Sequence, residues 1–145
     1  VALAVQADGV HIGQEDMPYE TARRLMGPKV IIGLSVETWE DVERAQSLDC
    51  DYLGVSPVFA TPTKTDTKEP WGMDGLTRIR AFSRHSLVGI GGFHAGNAEE
   101  AVLAGADSVA VVSAICAASD PFQASRELTG IIHAALEKRE KMQKK

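Results

Sequence analysis

Short apolar segments alternate with helical segments along nearly the whole chain, and this alternation constrains the fold more than any other feature. Five segments have the near-continuous apolar character of buried strands, at 10–13, 30–35, 51–55, 87–90 and 108–112. Segments with helical periodicity lie between and after them, at 19–26, 37–48, 76–82, 97–104, a short stretch from 114, and 121–138. Strands that alternate with helices predict an α/β protein with a parallel sheet and right-handed crossovers.

Two parallel architectures fit this alternation, an open doubly wound sheet and a TIM (β/α)8 barrel. The segment at 89–94 begins like a dinucleotide-binding G-x-G-x-x-G turn, but His94 occupies the place of the third glycine. A weak repeat favours the barrel, because Asp8, Asp51 and Asp107 each stand just before or at the start of a predicted strand. Polar clusters follow the strands instead, which suits a functional site at the carboxyl ends in either fold.

The length of the chain is small for a complete barrel. A barrel has eight strands and usually about 250 residues, whereas this chain has 145 residues and five predicted strands. Residues 1–6 also have the pattern of the last turns of a helix. We therefore expect residues 1–145 to be the C-terminal portion of one barrel domain, supplying about the last five βα units, with the N-terminal strands missing. Such a portion alone is expected to be inactive and to expose strand edges.

Composition excludes several classes of protein. The net charge of −5 does not favour a nucleic-acid surface, and no apolar run has the ~20 residues that span a bilayer. No signal peptide is visible, which predicts a cytoplasmic protein. Cys50 and Cys116 are expected to be buried free thiols. His11 lies inside a predicted strand and is interpreted as structural. The basic segment 138–145 is expected to be a fraying tail. The oligomeric state stays open.

The turns after the last two predicted strands have the character of a phosphate site. Gly91 and Gly92 are adjacent and would let the backbone approach an oxyanion. Residues 112–114 lead into a short helix whose first amide groups would point toward the same anion. The alternative is that the two glycines only form a tight turn.

Two further clusters follow the first two strands. Glu15 and Asp16 could hold Mg²⁺, which prefers one or two carboxylates together with substrate phosphates. Neighbouring side chains point apart, so one of the two is expected to reach the site. The alternative is an acidic cap of the following helix. Ser35 ends the second strand and either binds a ligand or caps a helix, although Thr38 with Asp41 suits that cap better.

The segment 56–72, SPVFATPTKTDTKEPWG, is a long loop rich in threonine and proline. Loops of this length inside a compact domain are commonly functional. Lys64 lies beside threonine hydroxyls, and this arrangement suits a phosphate or a pyrophosphate. The alternative is a solvated loop.

The motifs together resemble one known family. VHIGQED, GLSVET, GVSPVFATPTKTDT, GIGGF and ADSVAVVSAI occur in this order and spacing, and over about residues 7–128 the chain is similar to the thiamine-phosphate synthase family. The resemblance implies a (β/α)8 barrel that joins hydroxymethylpyrimidine diphosphate to thiazole phosphate with Mg²⁺ as cofactor. Pyrophosphate and thiamine phosphate are the implied products, and the implied partners are these small phosphorylated substrates.

The resemblance also implies roles for individual residues. Asp16 would be the metal ligand, and Ser35 and Lys64 would be catalytic residues that contact the pyrimidine diphosphate. Two further sets would serve the thiazole phosphate, Thr61, Pro62 and Thr63 as its wall, and Gly92, Val112 and Ser113 as binders of its phosphate group.

The chain departs from the family pattern in a few places. Glu37 stands where the family commonly has His, and Phe93 stands where it commonly has Ile. The family's basic segment and its Asn-Asp pair, which belong to the first strands, are absent here. Two alternatives stay open, a thiazole tautomerase-like enzyme and a non-catalytic phosphate-binding paralogue with the same barrel.

Overall fold

The computed structural model describes residues 1–60 and 68–144. Five parallel strands form one sheet in the order β1-β2-β3-β4-β5. The elements in chain order are β1 (Gly9–Ile12), α1 (Tyr19–Met26), β2 (Ile31–Val36), α2 (Trp39–Ala45), β3 (Tyr52–Val55), α3 (Gly72–Phe82), β4 (Ser86–Ile90), α4 (Ala98–Ala104), β5 (Ser108–Ala110), α5 (Ser113–Cys116) and α6 (Pro121–Gln143). The predicted alternation and the parallel sheet are confirmed.

The strand order bears on the choice between the two architectures. A doubly wound sheet reverses its strand order at a switch point, and within these five strands each strand pairs with the next along the chain. Sequential parallel pairing is the arrangement of a barrel wall. The described strands therefore lack the feature that defines a doubly wound sheet.

The hydrophobic core lies between the sheet and the helices. Alternate strand residues such as Ile12, Leu34 and Leu53 are buried and belong to one cluster with helix residues such as Val42 and Ile79. Neighbouring residues along a strand point to opposite faces. The other face of the sheet therefore carries the strand residues in between, and it includes the polar side chains described below.

The repeated aspartate has a structural role at the amino ends of the strands. The carboxylate of Asp51 accepts a hydrogen bond from the Ile32 amide at 2.7 Å, and that of Asp107 accepts one from the Leu87 amide at 2.9 Å. Both amides belong to the preceding strand. Arginines bind the same two carboxylates, Arg23 at Asp51 and both Arg80 and Arg139 at Asp107. At these two positions the aspartate thus ties β3 to β2 and β5 to β4.

The two ends of the chain differ from the sequence predictions in different ways. The basic tail was expected to fray, and this is wrong up to Gln143, because α6 continues to that residue. Arg139 donates hydrogen bonds to the carbonyls of Val102 and Ala106, which anchors the helix against α4 and the loop after it. Residues 2–6 form turns and no helix is found there, in contrast to the predicted last turns of a helix, and Gln6 has a positive φ of 52°.

The two cysteines differ in their surroundings. Cys50 is buried, and burial raises the pKa of its thiol to about 11. Cys116 is exposed, so the sequence prediction of two buried thiols is wrong for Cys116, which lies in the short helix α5 with one side open to solvent.

A thiol-specific reagent is therefore expected to label one cysteine of the two in the folded chain. Cys116 should react quickly, because it is exposed, whereas Cys50 should react only after unfolding, because a buried thiol with a raised pKa is rarely a thiolate. Mass spectrometry of labelled peptides before and after denaturation measures this directly. Equal labelling of both residues in the folded state would contradict the burial of Cys50.

Candidate active site

The carboxyl ends of all five strands lie along one edge of the sheet, because the strands are parallel. A cavity of about 540 Å³ opens at this edge beside β1 and β2, a size typical of small-molecule sites. Its walls include the predicted residues Asp16 and Ser35. The cavity is also lined by Gly13, Gln14, Glu15, Glu37, Thr38, Asp41, Arg44 and Lys68. The structure thus brings a predicted metal ligand and a predicted catalytic residue together.

Asp16 lies in the loop that follows β1. Its Oδ2 accepts a hydrogen bond from the Gly13 amide at 2.7 Å, which folds the loop back on itself. The predicted alternative, in which this carboxylate caps α1, is wrong, because the N-cap of α1 is Pro18 and, among residues 1–60 and 68–144, no side chain bonds to the first amides of that helix. The carboxylate is held at the cavity instead.

Ser35 is likewise free of a capping role. Thr38 and Asp41 form a reciprocal capping box at the start of α2, as predicted. The Ser35 hydroxyl lies 2.8 Å from His11 Nε2, and the other ring nitrogen of His11 lies 3.0 Å from the Tyr52 hydroxyl. The Ser35 side chain therefore lies between this imidazole and the cavity.

Gln14 connects the loop after β1 to β2 and α2. Its side-chain amide donates to the Ser35 carbonyl, and its Oε1 accepts from Arg44 at 2.8 Å. Arg44 also pairs with Asp41 at 2.6 Å. These contacts fix the distance between the Asp16 loop and the end of β2, so the two predicted site residues keep their relative positions.

The glycine pair after β4 is packed against the loop that follows β3. Gly91 and Gly92 have positive φ values of 98° and 70°, which favour glycine. A Cβ at Gly92 would lie 2.6 Å from the Phe59 side chain. The Phe59 amide also bonds to the Gly91 carbonyl at 3.2 Å. The two glycines therefore do form a tight turn, as the structural alternative predicted, and their role toward a phosphate stays a prediction.

The remaining predicted residues lie in two places. Val112 and Ser113 follow β5 at the same edge of the sheet, Val112 is exposed, and Ser113 begins α5. Thr61, Pro62, Thr63 and Lys64 lie outside the described residues. The segment that leads to them, 57–60, contacts the glycine pair, and Lys68 beyond them lines the cavity.

Two side chains form hydrogen bonds with predicted site residues, and the sequence did not predict these contacts. His11 was interpreted as structural, although its position between the core residues Val10 and Ile12 places it on the opposite, open face. Asn97 was not considered at all. Its side-chain amide donates to the Gly92 carbonyl at 3.0 Å, and its oxygen accepts from the His94 amide at 2.9 Å. Asn97 therefore holds the glycine turn in place.

The chemistry of the cavity fits a magnesium ion bound jointly with a phosphate ligand. Across residues 1–60 and 68–144, no three His, Cys, Asp or Glu side chains are grouped as a complete metal site. Mg²⁺ often keeps several water ligands and takes one or two carboxylates plus substrate phosphate oxygens. Asp16, with Glu15 beside it in the cavity wall, provides this kind of oxygen donor.

The fold and the position of the cavity together indicate the class of protein. The chain is a parallel α/β protein that places polar and charged side chains at the carboxyl edge of its sheet, as enzymes of the parallel α/β folds do. Within the part of the chain that the structure describes, no helix is both long and apolar enough to cross a membrane.

Comparison with known proteins gives the family. The sequence profile described as "Thiamine monophosphate synthase" matches residues 1–115, and the chain belongs to this family. A thiamine-phosphate synthase of Albidiferax ferrireducens is 60% identical over 134 residues, which cover 92% of this chain and 61% of that protein. One of Vibrio campbellii is 50% identical over 132 residues, which cover 91% of this chain and 65% of that protein.

Solved structures agree with this assignment. The thiamine phosphate pyrophosphorylase of Pyrococcus furiosus superposes with a TM-score of 0.84 at 41% identity, over 93% of this chain and 64% of that one. The orotidine 5′-phosphate decarboxylase of Pyrococcus horikoshii superposes with a TM-score of 0.66 at 19% identity, over 90% of this chain and 63% of that one, and shares the fold. The chain thus spans less than two thirds of the length of the relatives it matches.

Proposed function

We propose that this chain supplies the carboxyl-edge site of a cytoplasmic thiamine-phosphate synthase with a (β/α)8 barrel. The reaction joins hydroxymethylpyrimidine diphosphate to thiazole phosphate and releases pyrophosphate. One observation carries the proposal, namely that Asp16 and Ser35, in a member of this family, line one cavity of a size that suits a small phosphorylated ligand. The curated relatives named above are all synthases, and nothing favours the tautomerase or the non-catalytic alternative.

Two groups of residues are proposed to bind the two substrates, one group for each substrate. Asp16 would hold Mg²⁺ together with the diphosphate, and Ser35 and Lys64 would donate hydrogen bonds to the diphosphate oxygens. Across the edge of the sheet, the thiazole phosphate would be bound by the amides of Gly92, Val112 and Ser113, with Thr61, Pro62 and Thr63 as the adjacent wall. Support comes from the parallel sheet, which brings the described residues that follow β1, β2, β4 and β5 to the same edge.

The residues act mainly by stabilising charge and by positioning. The bond between the pyrimidine methylene carbon and the pyrophosphate oxygen breaks, and a bond from that carbon to the thiazole nitrogen forms. Asp16 would hold Mg²⁺, and the bound ion would supply positive charge that stabilises the leaving pyrophosphate. Lys64 and the Ser35 hydroxyl stabilise the negative charge that develops on the same oxygens. The thiazole nitrogen is already a nucleophile, so the chain needs no general base and instead holds the two partners in line.

A two-substrate assay of the intact protein tests this proposal. With both substrates and Mg²⁺, thiamine phosphate and pyrophosphate should form in equal amounts. A chelator should stop the reaction, and an excess of Mg²⁺ should restore it. If the folded protein binds thiazole phosphate but releases no pyrophosphate, the proposal is wrong and the protein is a phosphate-binding paralogue.

Replacing Asn97 with aspartate should weaken binding of thiazole phosphate. Aspartate keeps the acceptor for the His94 amide but loses the donor to the Gly92 carbonyl, so the glycine turn is no longer held. The loss of one such hydrogen bond predicts a KM for thiazole phosphate raised about fivefold. The KM for the pyrimidine diphosphate should stay unchanged in the same steady-state measurements, and an equal rise in both KM values would contradict a local effect on the turn.

A further inference from the structure

Three side chains from three neighbouring strands form a hydrogen-bonded network on the open face of the sheet. The Tyr52 hydroxyl on β3 lies 3.0 Å from His11 Nδ1 on β1, and His11 Nε2 lies 2.8 Å from Ser35 Oγ on β2. The rings of His11 and Tyr52 are stacked with their centroids 5.5 Å apart. The register of the strands brings these residues together, since they are far apart along the chain.

Two strand glycines make room for this network. A Cβ at Gly33 would lie 2.1 Å from Cζ of Tyr52, and one at Gly54 would lie 2.9 Å from Cε1 of His11. Glycine inside a strand is unfavourable, because its backbone loses more conformational entropy on folding and it offers no side chain for packing. These two positions have glycine where a larger residue would displace the Tyr52 or the His11 ring.

The two hydrogen bonds of the network can run in either direction from donor to acceptor, and the pKa values of His11 and Tyr52 bear on the choice. Partial burial lowers the pKa of His11 below its ordinary value of 6.5, against the opposing effect of the Asp16 carboxylate. The imidazole is then neutral at neutral pH, with one N–H donor and one acceptor nitrogen. Burial also raises the pKa of Tyr52 above 10, so its hydroxyl keeps the hydrogen.

The surroundings of Tyr52 and of Ser35 favour one of the two directions in which these hydrogen bonds can run. Among residues 1–60 and 68–144, His11 Nδ1 is the one hydrogen-bond partner of the Tyr52 hydroxyl. If the Ser35 hydroxyl donated to His11 and His11 to Tyr52, the phenol hydrogen would have no protein acceptor there. In the opposite direction it is the Ser35 hydrogen that has no acceptor among the described residues, but Ser35 lines the cavity, where a phosphate oxygen of a ligand can accept it. Tyr52 then donates to Nδ1, and Nε2–H donates to Ser35 Oγ.

We propose that Tyr52 is a positioning residue which, through His11, directs the hydroxyl hydrogen of Ser35 into the cavity. Because Ser35 Oγ already accepts a hydrogen bond from His11, its own hydrogen remains for a ligand, and a diphosphate oxygen accepts it. This inference rests on the proposed function, in which Ser35 binds the diphosphate. It adds a residue of β3 that acts on Ser35 through His11.

Nitrogen NMR of the histidine rings tests the direction without any substrate. In the intact protein at neutral pH, His11 should carry its hydrogen on Nε2 and a lone pair on Nδ1, and the spectrum of the His11→Gln variant identifies its signals. A hydrogen on Nδ1, or on both nitrogens, would overturn the proposal. This result stands whether or not the protein makes thiamine phosphate, so a failure here is distinct from a failure of the proposed function.

Kinetics of Tyr52→Phe test the consequence for the substrate. Without the phenol donor, Ser35 can donate to His11 instead of to the ligand. The KM for the pyrimidine diphosphate should rise about five- to tenfold, which corresponds to the net contribution of about one ordinary hydrogen bond. The KM for thiazole phosphate should be unchanged. The matched control is Tyr19→Phe, which removes the hydroxyl that donates to the Asp49 carbonyl away from the network and should alter neither KM.

A double variant separates positioning from a merely structural effect. Glutamine at position 11 carries an amide that can donate to Ser35 without help from Tyr52. In the His11→Gln background, Tyr52→Phe should therefore change the diphosphate KM by less than twofold. If Tyr52→Phe raises that KM equally in both backgrounds, or in neither, Tyr52 does not act through His11 and the proposal is overturned.

Discussion

Replacing Asp16 with asparagine in the intact protein is expected to lower the rate of pyrophosphate release by a factor on the order of 100 to 1,000. Asparagine keeps an oxygen that can accept from the Gly13 amide, so the loop after β1 retains its hydrogen bond. The variant loses the negative charge that is proposed to hold Mg²⁺ beside the leaving group. The rate at saturating substrate is measured over a range of Mg²⁺ concentrations, and the Mg²⁺ requirement should shift to higher values.

The neighbouring carboxylate provides the control for Asp16. Glu15 lines the same cavity and carries the same charge, so Glu15→Gln tests whether any negative charge in this wall is sufficient. Its rate should stay within about threefold of the unaltered protein, the effect expected when a charge is lost without a ligand contact. If Glu15→Gln is the slower variant, the metal ligand is Glu15 and the assignment of Asp16 is wrong.

Replacing Asp107 with alanine is expected to lower the free energy of unfolding by about 2 to 4 kcal/mol. The change removes the acceptor of the Leu87 amide and leaves Arg80 and Arg139 without their shared carboxylate partner. Arg139 is only 17% exposed, so water compensates its lost partner poorly. Denaturant unfolding of the intact protein measures the loss, which should appear as a lower midpoint.

The same motif at β3 is the matched control for stability. Asp51 accepts from the Ile32 amide in the same way, but it binds one arginine and is 46% exposed. Asp51→Ala should therefore cost less, about 1 to 2 kcal/mol. A loss at Asp51 equal to or larger than that at Asp107 would contradict the importance of the second arginine, which anchors α6.

The alternation of strands and helices and the parallel sheet were predictable from the sequence, because local patterns determine them. Helix α1 has the predicted bounds, 19–26, and the other boundaries shift by a few residues. Helix α3 begins at Gly72, four residues before its predicted start. The tail was mispredicted because its stability comes from Arg139, whose carbonyl partners are more than thirty residues away. A charge pattern alone does not reveal such a partner.

The candidate site was predictable only where a single loop carries the signal. GQED follows a strand and Ser35 ends one, so Asp16 and Ser35 could be placed at one edge from topology alone. The network of His11 and Tyr52 could not, since it depends on strand register and on the room left by glycines in other strands. A polar residue between two core residues of β1 was the one available signal for His11.

The location of the metal and of the diphosphate is the central claim, and a crystal structure of the intact protein with Mn²⁺ and pyrophosphate tests it directly. Anomalous scattering should place the metal at the Asp16 carboxylate, with pyrophosphate within hydrogen-bond distance of Ser35 Oγ. Both ligands bound away from the carboxyl ends of β1 and β2, with Asp16 still bonded to Gly13 alone, would contradict it.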